Sequence, residues 1–267
     1  MVEILSLPFV QNALIAAVLL SIAAGVIGSL VVVNRIVFLS GGIAHTAYGG
    51  VGIAFFFGFS PLLGAGVVSV LAALLMARIT LNNRHKSDAA IGVIWAAGMA
   101  IGVIFTDFSS GYNGDLTSYL FGSLAAIESG DLLAFGAIDV AILIWIFAYY
   151  HRILAIAFDE EFAKSKGVNV AWLYAALLVL ASLSIVIAIR LVGLMLVIAL
   201  LTIPVWIAQT YAKSLWRTMI YAAILSFIFI TIGFALSIVF NATSGAAVVA
   251  IAAIAFVVSS GVNALRR

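Results

Sequence analysis

Apolar runs of bilayer length recur from one end of this chain to the other, and nothing else in the sequence limits its fold as strongly. They fall at 10–33, 39–58, 61–79, 89–106, 132–150, 170–189, 192–210, 217–240 and 246–264, separated by polar or glycine-rich breaks. A helix needs roughly 20 apolar residues to cross the ~30 Å hydrocarbon core, and inside lipid its backbone polar groups must be paired within the segment. The predicted fold class is an all-α integral membrane protein, a polytopic bundle of about nine transmembrane helices, eight on the lower count. Composition agrees: 66% of the 267 residues are hydrophobic, 8% are charged and the mean hydropathy is +1.32, against about 45–50% apolar and about 25% charged in ordinary soluble domains. No loop approaches the ~50 residues of a soluble domain, so the expectation is one transmembrane domain over 1–267. The first run is predicted to stay in the mature protein, because Met1 to Gln11 holds Glu3 and no cation, and the run is too long for a signal-peptide core.

Charge placement predicts orientation. With the N-terminus outside, the cytoplasmic segments hold Arg35, Arg78, Arg84, Lys86, Arg152, Lys164, Lys166, Lys213, Arg217, Arg266 and Arg267, eleven of the 12 cations, and only Arg190 lies outside. The positive-inside rule therefore sets the N-terminus out and the C-terminus in. The outer stretch 107–131 contains an apolar segment, 116–126, that is too short to span and too greasy for a solvated loop; a short re-entrant or interfacial helix is expected there.

Enzymatic chemistry is largely excluded. The chain has no Walker-type phosphate loop, no His-Glu-x-x-His and no Gly-x-Ser-x-Gly, and it has no cysteine for disulfides, thiolate metal centres or nucleophilic attack. No catalytic residue and no resident cofactor is expected, nor any nucleic-acid partner. What remains is conduction, transport or anchoring.

Four features bear on that choice. In the second run Gly41, His45, Gly49 and Gly52 share one helical face. An imidazole on an otherwise bare stripe suits an ion path, and the same stripe suits a tight helix contact in which the histidine bonds a neighbour. Gly98 and Gly102 form a small-xxx-small pair read as packing. Asp139, a third of the way into the fifth run, needs a partner at that depth; a structural ion pair with Arg190 is the preferred assignment, a contribution to a cation path the second. Finally, Phe158-Asp159-Glu160-Glu161-Phe162-Ala163-Lys164-Ser165-Lys166-Gly167 places acids in a first turn, lysines in a last turn and glycine after it, which predicts a short cytoplasmic helix. Phe158 and Phe162, four apart, form an apolar ridge suited to a groove on a cytoplasmic partner.

These segments resemble the permease subunits of prokaryotic ABC importers for zinc, manganese or iron, the ABC-3 family. The likeness rests on Arg35 to Gly52 around His45, Ser87-Asp88-Ala89-Ala90-Ile91-Gly92-Val93, Tyr119-Leu120-Phe121-Gly122-Ser123, Phe158 to Ala163 with Gly167, and Arg190-Leu191-Val192-Gly193-Leu194-Met195-Leu196-Val197 running on to Leu201, Pro204 and Ala208. The resemblance implies a single transmembrane permease domain in a prokaryotic cell membrane, present as a homodimer embedded in lipid. An ATP-binding cassette subunit would bind on the cytoplasmic side and supply the ATPase activity, and an extracytoplasmic metal-binding protein would deliver the ion, which is substrate and not cofactor. It makes the aspartate-bearing cytoplasmic helix the coupling element and His45 part of the metal pathway. Many members carry aspartate four residues before that histidine, where this chain has Gly41, so another residue supplies the second ligand, the metal is held weakly, or the substrate differs. The alternatives are an ion-coupled secondary carrier or channel, an ABC permease for a metal chelate, and a structural anchor.

Overall fold

The computed structural model describes residues 7–82, 87–109, 119–124, 127–194 and 196–265. Its regular elements there are helices: α1 Pro8–Val33, α2 Val37–Phe57, α3 Pro61–Asn82, α4 Ser87–Asp107, α5 Ser129–Phe158, α6 Glu160–Ser165, α7 Val170–Val192, α8 Val197–Tyr211, α9 Leu215–Phe240 and α10 Ser244–Leu265. Seven of them, α1, α3, α4, α5, α7, α9 and α10, are long and apolar enough to cross a membrane. The nine-span expectation is therefore not met in full. The helix α2 falls outside the seven because five glycines, His45, Thr46 and Tyr48 dilute its apolar character; α8 does so because 15 residues reach only about 22 Å.

The α8 deficit has a local cause. The run expected over 192–210 is cut at its start, since α7 continues to Val192 and Gly193 then turns at φ +92°. Gly122, at φ +72°, lies directly against that turn, and a Cβ on Gly193 would stand 2.5 Å from the Leu120 carbonyl and 2.6 Å from the Gly122 nitrogen. Both positions need glycine for conformation and for space.

The chain divides into two compact units. The first comprises 1–32, 114–139 and 187–267. Here α1 meets α9 where Gly25 faces Ala223, and α8 where Gly28 faces the Leu201 carbonyl. Val205, Ala208 and Ala222 form one buried cluster and Ile207, Phe229 and Ala252 another. Of the 116–126 segment, only 119–124 lies within the described residues. That piece is pinned by backbone: Leu194 N–H donates to the Tyr119 carbonyl (3.1 Å), and Leu124 N–H donates to Ser244 Oγ (3.2 Å). Tyr119 and Leu124 are buried.

The second unit comprises 33–113 and 140–186. Glycine lets three helices approach at backbone distance within it: Gly50 of α2 meets Gly64 of α3, while Gly49 and Gly52 meet Gly98 and Gly102 of α4. Between helices in lipid the hydrophobic effect gives little drive, so close packing of small residues supplies the contact. In the most apolar 18-residue stretch of α4 only 17% of the residues are buried, against 72% in α1 and in α7.

Candidate functional site

His45 sits on α2 opposite Trp95 of α4. The rings stack with centroids 4.2 Å apart and planes 13° from parallel. The imidazole is half-buried, and its Nδ1 is buried without a hydrogen-bond partner among the described residues. Next to it Thr46 spends its hydroxyl on its own helix, donating to the Gly42 carbonyl at 2.7 Å. The stripe around His45 is not an open lane: Gly41 is buried, and Gly49 and Gly52 are covered by α4. Of the two uses the sequence left open for these glycines, helix packing holds for Gly49 and Gly52. The packing role expected for Gly98 and Gly102 holds too, as a Cβ on Gly98 would stand 2.7 Å from Thr46 Cα and one on Gly102 2.7 Å from the Tyr48 carbonyl.

The expected Asp139–Arg190 pair is not present. Arg190 Nε lies 3.5 Å from Asp131 Oδ2, its Nη1 donates to Tyr119 Oη at 3.1 Å, and its guanidinium stands 5.2 Å from the Tyr119 ring centre. Helical rise explains the change of partner. Arg190 is in the last turn of α7 and Asp131 in the first turn of α5, whereas Asp139 lies eight residues, about 12 Å, further along α5. Asp139 is 3% exposed, and neither carboxylate oxygen has a partner among the described residues.

The short charge-patterned helix expected after the fifth run forms as α6, with a sharper boundary than expected. Asp159 is extended (φ −153°) and its side chain accepts from the Phe162 N–H at 2.9 Å, capping a six-residue helix. Glu160 and Lys164 pair at 2.7 Å. Lys166, Gly167 and Val168 N–H groups close the last turn onto the carbonyls of Phe162, Lys164 and Ala163, with Gly167 at φ +79°. Ala163 turns inward and is buried, while Glu161 is exposed. Phe158 and Phe162 are 84% and 55% exposed, but they do not share one helix: α5 runs on to Phe158, and the extended Asp159 separates it from α6. Beside Phe158 opens a cavity of about 530 Å³ lined by Arg35, Leu39, Thr80, Asp88, Phe158 and Glu160, among others. The base of α6 is thus a ridge next to a hollow, with both signs of charge on the rim.

Residues 6–263 match the ABC 3 transport family. The chain belongs to that family. Among relatives, the ABC 3 chain is 43% identical over 259 residues to an uncharacterised membrane protein of Synechocystis, covering 97% of this chain and 92% of that one. It is 32% identical over 251 residues to a manganese transport system membrane protein of Listeria monocytogenes, covering 94% and 89%. Its fold superposes on a chain of the solved PsaBC–Fab complex from Streptococcus pneumoniae with a TM-score of 0.87 at 31% identity, covering 97% and 93%. Membership and the apolar helices together make the ABC 3 chain a multi-pass membrane transport protein.

Two partners escaped the sequence. Trp95 lies in the fourth run and nothing in its spacing pointed to His45. Asp131 was legible in principle, as an acid in the first turn of α5 at the same helical end as Arg190.

Proposed function

We propose that this chain is the membrane-spanning permease subunit of an ATP-driven importer for a divalent metal ion, with manganese the first ion to test. What carries the reading is the match over nearly the whole length, in sequence to a manganese transport system membrane protein and in fold to a chain of the PsaBC complex. The chain hydrolyses no ATP in this scheme; an ATP-binding subunit does so and engages Phe158, Phe162 and the capped α6 from the cytoplasm, with the N-terminus outside and the C-terminus inside. Two copies form the path, and an extracytoplasmic metal-binding protein loads it.

His45 is the ligand this chain offers. A neutral imidazole with an unengaged nitrogen suits a borderline divalent ion, and its Nδ1 has no protein partner among the described residues. With Gly41 in place of an acid, and no cluster of three or more His, Asp or Glu among the described residues, one chain supplies part of a coordination shell and a second copy, backbone carbonyls or water complete it. Imidazole favours zinc while carboxylate and carbonyl oxygen favour manganese, so both ions belong in every assay. The test is co-purification: the tagged chain, expressed with its native partners, is expected to bring down an ATP-binding subunit. Purification of an active carrier with no such subunit would overturn the reading in favour of a secondary carrier or channel.

A further inference from the structure

The stretch of α5 that precedes α6 carries a surface the transport reading leaves unused. Trp145, Tyr149 and Arg152 follow one another at spacings of four and three, so they climb a single helical stripe. The Tyr149 ring packs 6.0 Å from Trp145, meets Trp172 of α7 edge-on at 5.1 Å and lies under the Arg152 guanidinium at 5.6 Å. Immediately beside this ladder runs a second stripe, Ile144, Phe147 and His151, of which Ile144 is 65% and Phe147 89% exposed. Trp172 is 48% exposed, and Arg152 and His151 are exposed as well. No carboxylate pairs with Arg152 among the described residues.

Depth sets the meaning of the ladder. At 30 residues α5 is about 45 Å long, against ~30 Å of hydrocarbon, so one end of the helix must emerge. The emergent end is the one that leads into the charged α6. Tyr149 and Arg152 lie six to nine residues before it, and Trp172 lies two residues into α7, at the same end. Tryptophan and tyrosine settle at the headgroup level, and an arginine there keeps its charge in the polar zone.

We propose that this surface is a binding site for an anionic phospholipid. The lipid phosphate sits on Arg152, backed by the amphipathic edges of Tyr149 and Trp172, and an acyl chain lies along Phe147 and Ile144. Charge complementarity selects the occupant: a guanidinium with no carboxylate partner among the described residues, above an apolar track, matches a headgroup of net negative charge on a hydrocarbon tail. A zwitterionic lipid offers the same tail without the net charge. A second protein helix would cover the track but leave the guanidinium without its counter-charge. The site does not depend on which ion the protein moves.

The test uses the full chain in detergent, titrated with phosphatidylglycerol or with phosphatidylcholine while thermal unfolding is followed and retained lipid is counted by native mass spectrometry. The wild type is expected to retain phosphatidylglycerol in preference to phosphatidylcholine and to be stabilised more by it. Arg152→Gln is expected to weaken phosphatidylglycerol binding about five-fold, the worth of one interfacial cation. Trp172→Leu, which keeps bulk but loses the amphipathic ring, should weaken it as well, whereas Arg217→Gln, removing a cation at the start of α9, should leave this site's occupancy unchanged. Equal retention of the two lipids by the wild type overturns the proposal without reference to any variant. So does an Arg152→Gln titration that superimposes on the wild type, or a change of oligomeric state with lipid binding intact, which would assign the face to a protein partner.

Discussion

Replacing Gly98 by alanine tests the packing on which the His45 site is built. A Cβ there would stand 2.7 Å from both Cα and Cγ2 of Thr46 and 3.0 Å from Thr46 Cβ, where ordinary contact begins at 3.4 Å. Backbone of α2 forms part of the obstacle, so α2 and α4 must separate by about 0.7 Å at this level. The control is Gly92→Ala on the same helix, whose Cβ would meet nothing within 4 Å. Both changes gain similar helix propensity, up to about 1 kcal/mol, so the difference between them isolates the overpacking, about 1–3 kcal/mol. At roughly 2–4 °C per kcal/mol for a chain of this size, Gly98→Ala is expected to melt about 2–12 °C below Gly92→Ala in detergent, measured by intrinsic fluorescence. Because Trp95 lies one turn before Gly98 and carries the His45 stack, Gly98→Ala should also lower metal uptake while Gly92→Ala does not. Equal melting points for the two variants would refute the close α2–α4 contact.

Further expectations follow from other named contacts. Arg190→Gln and Asp131→Asn should each lower thermal stability, and the double variant should lose less than their sum by about 1 kcal/mol, the scale of a partly exposed ion pair; Asp139→Asn should show no such coupling to Arg190, and a cycle that couples Arg190 to Asp139 would restore the pairing expected from sequence. Gly193→Ala places a side chain at φ +92° against Gly122, and membrane levels of the protein should fall more sharply than for Gly66→Ala, which meets open space. Phe162→Ala should weaken retention of the ATP-binding subunit by about 2 kcal/mol, read as loss of the subunit on dilution, with the permease's own melting point unchanged; an unchanged complex would remove α6 from the docking surface.

The sequence made the apolar helices legible because lipid imposes a length and a composition that hydropathy reads directly. The span expected over 10–33 corresponds to α1, and those over 217–240 and 246–264 to α9 and α10, within a few residues. It misjudged α8, whose start is set by Gly193 folding against Gly122, 71 residues earlier, a contact that no local stretch contains. It also stopped α5 at 150, because Tyr149 to Arg152 end the apolar run, although nothing there breaks a helix and the first true stop is the extended Asp159. At the candidate site, residue types were legible and partners were not. His45 stood out as an imidazole among glycines, but whether those glycines face an ion or a helix depends on α4, and Gly98 and Gly102 answer it. Asp139 stood out as a buried acid, yet helical rise favoured the shallower Asp131 for Arg190.

The most direct test of the central claim is metal-stimulated ATP hydrolysis and uptake by the permease reconstituted in vesicles with its co-purified ATP-binding subunit and external binding protein, with manganese and zinc compared side by side. The expected result is that one of these ions, delivered by the binding protein, raises hydrolysis and accumulates inside. His45→Ala should abolish the accumulation while the complex stays assembled. Accumulation that proceeds without ATP, or that is unchanged by His45→Ala, would contradict it.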